Sequence, residues 1–266
     1  VFSAGNFSGI KFEKMHGNGN DFIMIDEFDK EIVREDEKPL FASIYCNRRL
    51  GIGADGVIFL QRSDVADVRM RLFQQDKSEA EMCGNGIRCL VRLAHECGRI
   101  SGGKCTVETL AGIIPITYHE EDGFWVRVGM GKVSEISRLN INNTEVFAVD
   151  TGVPHAVVFV NDLDFDIEKK ALPIRWSKKF PRGTNVDFVK IDEWEIVVRT
   201  FERGVEGETL SCGTGAVASA VVAKELGMVG DEVVVRTKGG VLKVSFEEDT
   251  AYLEGCAEKV FKGIIV

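Results

Sequence analysis

The chain is written twice. Cys83-Gly84-Asn85-Gly86 and Cys212-Gly213-Thr214-Gly215 lie 129 residues apart, and matching phrases flank them in the same order. Gly19-Asn20-Asp21-Phe22, running into Ile23-Met24-Ile25, is echoed by Gly152-Val153-Pro154-His155 running into Ala156-Val157-Val158-Phe159. Ala54-Asp55-Gly56-Val57 is read against Val186-Asp187-Phe188-Val189, Arg71-Leu72-Phe73 against Arg199-Thr200-Phe201, and Val107-Glu108-Thr109 against Val235-Arg236-Thr237. The spacings stay between 128 and 133 residues, so only small insertions separate the copies. Two copies are too few for a solenoid, so each must close a core of its own. A chain of 266 residues is long enough for that. The expectation is an α/β (α+β) protein of two pseudo-symmetric lobes, residues 10–131 and 132–257. Each is a curled, mainly antiparallel sheet around a buried central helix. The active site is expected in the cleft between them, where the two Cys-Gly-x-Gly turns would flank the pseudo-twofold axis.

Periodicity supports a helix after each cysteine phrase. Ile87, Leu90, Val91 and Ala94 recur at i, i+3, i+4 and i+7, and Gly98 stands where a C-terminal cap is needed. Ala216 to Ala223 is apolar on every side, which predicts a helix buried all round and stopped by Gly227. Strand texture dominates elsewhere. Phe124 to Val128 alternates after Asp122-Gly123, and Val233 to Val235 and Val241 to Phe246 flank Gly239-Gly240 as a hairpin.

The net charge of −9 argues against a nucleic-acid footprint and against an anionic membrane surface. No apolar run is long enough to span a bilayer and no secretory core is apparent, which points to the cytoplasm. Roughly the first nine residues are set aside as a processed or loose terminus. Seven cysteines without CxxC spacing, and four scattered histidines, do not outline a zinc site. Reduced thiols are therefore expected.

A thiol at a helix N-terminus is pushed toward thiolate by the exposed N–H groups, and those groups also cradle a carboxylate. Two such units suit one reaction. Moving the α-proton of an amino acid from one face to the other needs a base on one side and an acid on the other. Cys83 and Cys212 are the candidates. The N–H groups of Gly84, Asn85, Gly213 and Thr214 would offset charge building on the carboxylate. The bland reading makes both cysteines small buried hydrophobes, and their repetition outweighs it. A Cys83–Cys212 disulfide would be an oxidised, inactive form. Cys46, Cys89, Cys97, Cys105 and Cys256 are read as core or incidental. Gly51-Ile52-Gly53-Ala54-Asp55-Gly56 fits a dinucleotide pattern, but it runs into a strand rather than opening a helix, and is read as a loop. His155 either tunes a thiol or is a satisfied histidine at a strand start. Glu202 and Arg203 either hold an amine and a carboxylate or pair with each other. Asn20 and Asn185 either orient a ligand or serve their turns.

Lys14-Met15-His16-Gly17-Asn18-Gly19-Asn20-Asp21-Phe22 and Ser78 to Cys89 resemble the diaminopimelate epimerase family. Gly183-Thr184-Asn185-Val186, Phe201-Glu202-Arg203-Gly204 and Glu208 to Gly215 resemble it too. The resemblance runs from about Ile10 to the C-terminus. It implies a cofactor-independent isomerase interconverting LL- and meso-2,6-diaminopimelate in lysine and cell-wall precursor synthesis. It also implies a last strand, within 258–266, that returns to the first lobe. By the same resemblance Cys83 and Cys212 are the acid/base pair, and Gly84, Asn85, Gly213 and Thr214 form the carboxylate cradle. Asn20, Gln74, Asn185, Glu202 and Arg203 bind substrate, while His155 and Glu202 tune the thiols. The implied partner is a small amino-acid substrate, with no nucleic acid and no membrane; a homodimer is compatible with this reading.

Three positions depart from the family pattern: Gln74 and Val153 replace asparagines, and Gly56 stands where glutamine is frequent. Gln74 and Val153 fall where the resemblance places the distal end of the substrate, and losing polar partners there relaxes or redirects specificity. The alternative is therefore a racemase or epimerase of the same family acting on another amino acid, such as lysine. A binding protein without catalysis on the same scaffold is the reading from another class.

Overall fold

In the computed structural model, which describes residues 7–248 and 250–266, the chain forms two compact units. One comprises residues up to Val128 together with Cys256–Val266, and the other comprises Gly129–Gly255.

The first unit is built from β1 (Lys11–Gly17), β2 (Asn20–Asp26), α1 (Lys38–Tyr45), β3 (Gly56–Gln61), β4 (Val68–Gln74), the two-residue β5 (Glu79–Ala80), α2 (Gly84–Glu96), β6 (Lys104–Thr109), β7 (Gly112–His119) and β8 (Trp125–Gly129). The chain's last strand, β18 (Glu258–Ile264), pairs antiparallel with β1 from Lys11↔Ile264 to His16↔Glu258. From there the sheet runs β1–β2 antiparallel, β2–β3 parallel and β3–β4 antiparallel. It continues β4–β6 parallel, β6–β7 antiparallel and β7–β8 antiparallel. β5 adds a short antiparallel rung to β4.

The second unit repeats this pattern with β9 (Ser137–Ile141), β10 (Thr144–Asp150), β11 (Pro154–Phe159), α3 (Ile167–Arg175), β12 (Asn185–Asp192), β13 (Glu195–Glu202), β14 (Gly207–Thr209), α4 (Gly213–Glu225), β15 (Glu232–Thr237), β16 (Gly240–Glu247) and β17 (Thr250–Cys256). Its parallel pairs, β11–β12 and β13–β15, fall where β2–β3 and β4–β6 fall in the first unit. The remaining pairs are antiparallel.

Sheets with a helix on each face bury both faces, so their strands read as unbroken apolar runs. In β2 and β3, Ile23, Ile25, Val57 and Phe59 pack with Phe41 and Ala42 of α1. In the second unit, Ala156, Val158, Val186 and Phe188 pack with Ile167, Ala171 and Ile174 of α3. Val157 and Val189, on the other face, join the core around Ala216, Val217 and Ala220 of α4. α4 touches strands from β10 round to β16, which a flat sheet would not allow. Ile87, Leu90, Val91 and Ala94 are all fully buried on α2, and Gly98 and Gly227 follow the two helices at positive φ. No helix among the described residues is long and apolar enough to cross a membrane.

Two readings need correction. Register matches Phe22 opposite Gly56 with His155 opposite Asn185, and Gly56↔Gln74 heads the pairing that Val186↔Phe201 continues. Gly56 is therefore the counterpart of Asn185, and Ile58, not Asp55, is the counterpart of Asp187. The side-chain contacts agree: a Cβ on Gly86 would meet Ile58, and one on Gly215 would meet Asp187. The sequence echo slips because the loops before β3 and β12 differ in length. The second correction concerns the terminus set aside as loose. Residues 1–6 lie outside the described part, but Phe7 is buried against Phe41 and Tyr45, and Gly9 N–H bonds the Ile265 carbonyl.

Candidate active site

In the first unit Cys83 is the extended residue that starts α2, and its carbonyl takes the Ile87 N–H. The N–H groups of the first turn, from Gly84 onward, then point out of the helix end without an intrahelical acceptor. The Cys83 thiol donates to Asn20 Oδ1 at 3.5 Å, and Asn85 Nδ2 donates to the same oxygen at 3.3 Å. Asn20, at the start of β2, is fixed in turn by donating to Asp55 Oδ2 at 2.6 Å. Asp55 and Asp21 share Arg48, and Asp21 also pairs with Lys14 at 2.6 Å. Burial works to raise the Asp21 carboxyl, but the bonds from Arg48 and Lys14 win and hold it at about 2. Gln74 is exposed at the end of β4, and its Oε1 accepts from the Ser78 hydroxyl.

In the second unit Cys212 starts α4 in the same extended conformation, and its carbonyl takes the Ala216 N–H. Its sulfur lies 3.3 Å from Thr214 Oγ1, which lies 3.0 Å from His155 Nε2. His155 Nδ1 is 2.6 Å from Asp187 Oδ2, and both side chains are fully buried. Thr200 Oγ1 donates to the other Asp187 oxygen at 2.7 Å. A carboxylate accepts only, so Nδ1 carries the proton and Nε2 is left as the acceptor. A polar chain thus runs from the Cys212 sulfur through the Thr214 hydroxyl to His155 Nε2, with the His155 Nδ1–H donating to Asp187. Asn185 Nδ2 also reaches Nε2, at 3.3 Å, while its Oδ1 accepts from the Arg203 N–H at 2.8 Å. Burial pushes the Cys212 thiol far up, the Glu202 and Asp187 carboxylates add to the rise, and Thr214 and the Gly215 N–H oppose it. Arg203 donates from Nη1 to the Arg182 carbonyl at 3.1 Å.

Each unit thus collects its own share of the expected residues. Asn20, Cys83, Gly84 and Asn85 meet at one helix end. His155, Asn185, Glu202, Arg203, Cys212, Gly213 and Thr214 gather at the other. Gln74 is not bonded to the Asn20–Cys83 cluster. Sequence reasoning did not place Asp187, Thr200, Asp55 or Arg88 in these clusters. For Asp187 a signal existed: it follows Asn185 by two, so both project from one face of β12, beside His155 on the parallel neighbour.

Solved structures define the class of fold. A phenazine biosynthesis protein of the PhzF family from Bacillus anthracis superposes with a TM-score of 0.74 at 18% identity, covering 97% of this chain and 99% of that one. A hydroxyproline epimerase from Agrobacterium vitis gives 0.70 at 17% identity over 96% and 92%. The chain has the duplicated α/β fold of these proteins. Within it, the sequence profile of diaminopimelate epimerase matches residues 12–136 and 147–260. The diaminopimelate epimerases of Archaeoglobus fulgidus and Methanothrix thermoacetophila are each 53% identical to it, over 96% of both chains. That of Caldanaerobacter subterraneus subsp. tengcongensis is 44% identical over 96% and 99%. The chain belongs to the diaminopimelate epimerase family.

Proposed function

We propose that this protein interconverts LL- and meso-2,6-diaminopimelate by carrying the α-proton between the sulfurs of Cys83 and Cys212. It would serve lysine and cell-wall precursor synthesis in the cytoplasm, and a homodimer fits the reading. The observation that carries the proposal is the repeated helix start. In a chain 53% identical to named diaminopimelate epimerases, each unit caps a thirteen-residue helix with a cysteine and surrounds the sulfur with polar partners.

One thiolate takes the α-proton, and the electron pair of the broken C–H bond delocalises into the substrate carboxylate. The helix-end N–H groups of Gly84, Asn85, Gly213 and Thr214 meet that growing charge. The other thiol then gives its proton to the opposite face of the carbon. No atom is lost and no oxidation state changes; the enzyme ends with its two protonation states exchanged. Arg203 suits the distal carboxylate and Glu202 the amine. His155 acts on Cys212 through Thr214.

Chiral chromatography of LL-diaminopimelate incubated with the enzyme, without added cofactor, tests the proposal. Meso product is expected, and Cys83→Ser and Cys212→Ser each lower its rate by at least 100-fold. Full activity in either variant rules out the two-thiol scheme, and absence of meso product rules out the assignment.

A further inference from the structure

The two thiols touch different groups, but the chain that leads into them is braced alike in both units. Arg88, fully buried on α2, donates to Asn85 beside Cys83, whereas the His155–Asp187 pair lies behind Thr214 and Cys212. Ahead of each cysteine the geometry repeats. Phe73 pairs with Glu79 between β4 and β5, and Phe201 pairs with Glu208 between β13 and β14. Two residues before each phenylalanine stands an arginine, Arg71 or Arg199, diagonal to that glutamate and within reach of it. Arg71 donates from Nε and Nη2 to the two carboxylate oxygens of Glu79, the second bond at 2.9 Å. Arg199 donates from the same two nitrogens to Glu208, at 2.7 and 2.9 Å. The third nitrogen, Nη1, reaches the segment that leads into the outer helix of its unit. For Arg71 this is Glu35 Oε2 at 2.7 Å, ahead of α1; for Arg199 it is the Leu163 and Phe165 carbonyls at 2.5 and 2.9 Å, ahead of α3. A turn N–H completes each brace: Ala111 donates to the Glu81 carbonyl at 3.2 Å and Gly239 to the Leu210 carbonyl at 2.7 Å.

A strand as short as β5 or β14 has too few backbone bonds to hold its place alone. Two parallel charge-assisted bonds to one carboxylate fix distance and angle together. All four side chains are only 15% to 21% exposed, so solvent screens these pairs weakly. Each braced hairpin also carries two residues of the proposed site. Cys83 follows Glu79 by four positions and Cys212 follows Glu208 by four; Gln74 follows Arg71 by three and Glu202 follows Arg199 by three. Each fork thus ties the strand that ends in a residue read as binding substrate to the strand that leads into the thiol.

We infer that Arg71–Glu79 and Arg199–Glu208 are positioning residues for the proton transfer, each fork setting the thiol of its own unit against the substrate residue on the same hairpin. The inference rests on the two-thiol reading above and adds the groups that aim each thiol. What carries it is the survival of one bidentate geometry in both copies while the groups touching the sulfurs have diverged.

The test makes Arg71→Lys and Arg199→Lys in the whole enzyme, which keep the charge and give up the fork. A pair that only stabilises the fold is served nearly as well by lysine. A shift of about 1 Å at a reacting group costs about 100-fold in rate, so each variant, still folded in a urea melt, should lose at least about tenfold in kcat with a smaller change in KM. Iodoacetamide alkylation, with each cysteine quantified by peptide mass spectrometry, should change several-fold at Cys83 alone in Arg71→Lys and at Cys212 alone in Arg199→Lys. Adding Glu79→Gln to the first variant, or Glu208→Gln to the second, should cost little more, because the fork is already lost. Folded variants with wild-type kcat overturn the inference. So does alkylation that changes at both cysteines alike or at neither, and so does a second substitution within one fork that costs as much as the first. Should a lysine variant not fold, Glu79→Asp or Glu208→Asp, which draws the carboxylate back by one methylene, is held to the same kcat and alkylation outcomes. Alkylation needs no substrate, so a wild-type enzyme that makes no meso product would count against the two-thiol reading alone, while the alkylation pattern still decides this one.

Discussion

At the scale of single residues, the second unit's chemistry depends on one buried carboxylate. Asp187 fixes which nitrogen of His155 is protonated, and so which ring atom faces the Thr214 hydroxyl beside the Cys212 sulfur. Asp187→Asn keeps the shape but offers an amide that can present a donor, which destabilises that tautomer. We expect kcat to fall at least tenfold, about 1.4 kcal/mol of barrier, with KM nearly unchanged. Steady-state kinetics beside a thermal melt separates this from unfolding. In the first unit the Asp21 carboxyl is held at about 2, below its unfolded value. A depressed carboxylate contributes stability above the unfolded value and loses it as pH falls through the folded one. Acid unfolding should thus steepen between about pH 4 and pH 2, and Asp21→Asn should flatten that limb in urea titrations.

At the scale of elements, the helix starts were legible in the sequence, because a thiol, two glycines and an apolar period of 3.6 are local signals. The sheet register was not. Asp55 and Asp187 look alike in sequence, yet the strands align Asp187 with Ile58, because register is set by pairing with neighbouring strands far along the chain. The charge on Arg88 was equally silent: a basic residue inside CGNGIRC reads as an exposed helix position until the burial of both helix faces is seen. The repeated glycines at the third helical position give a test of the register. A Cβ on Gly215 would meet Asp187 Oδ1 at 2.4 Å, and that oxygen is held by Thr200. A Cβ on Gly86 would meet the tip of Ile58 at 2.8 Å, an unbonded methyl that can turn away. Gly215→Ala should therefore cost more in both stability and kcat than Gly86→Ala, as paired urea melts and rate measurements would read. Equal effects would mean the two positions are not distinguished by what lies beneath them.

At the scale of the whole molecule, duplication supplies two thiols and divergence makes them different. Each unit offers a cysteine at a helix end, but one is surrounded by amides and a buried cation, the other by carboxylates and an imidazole. Gln74, Val153 and Gly56 depart from the family pattern, and the family relationship shows that the chain belongs with diaminopimelate epimerases despite them.

The central claim is that two thiols, not one, handle the α-proton. Isotope flow in heavy water tests it most directly. LL-diaminopimelate should give meso product that carries solvent deuterium at the inverted carbon from the first turnovers, while unreacted LL substrate stays protonated. Two thiols require this, because the proton delivered comes from a sulfur equilibrated with solvent and not from the sulfur that took the substrate's own proton. Early meso product that retains the substrate's original proton would mean that a single base carries it across, and would contradict the account.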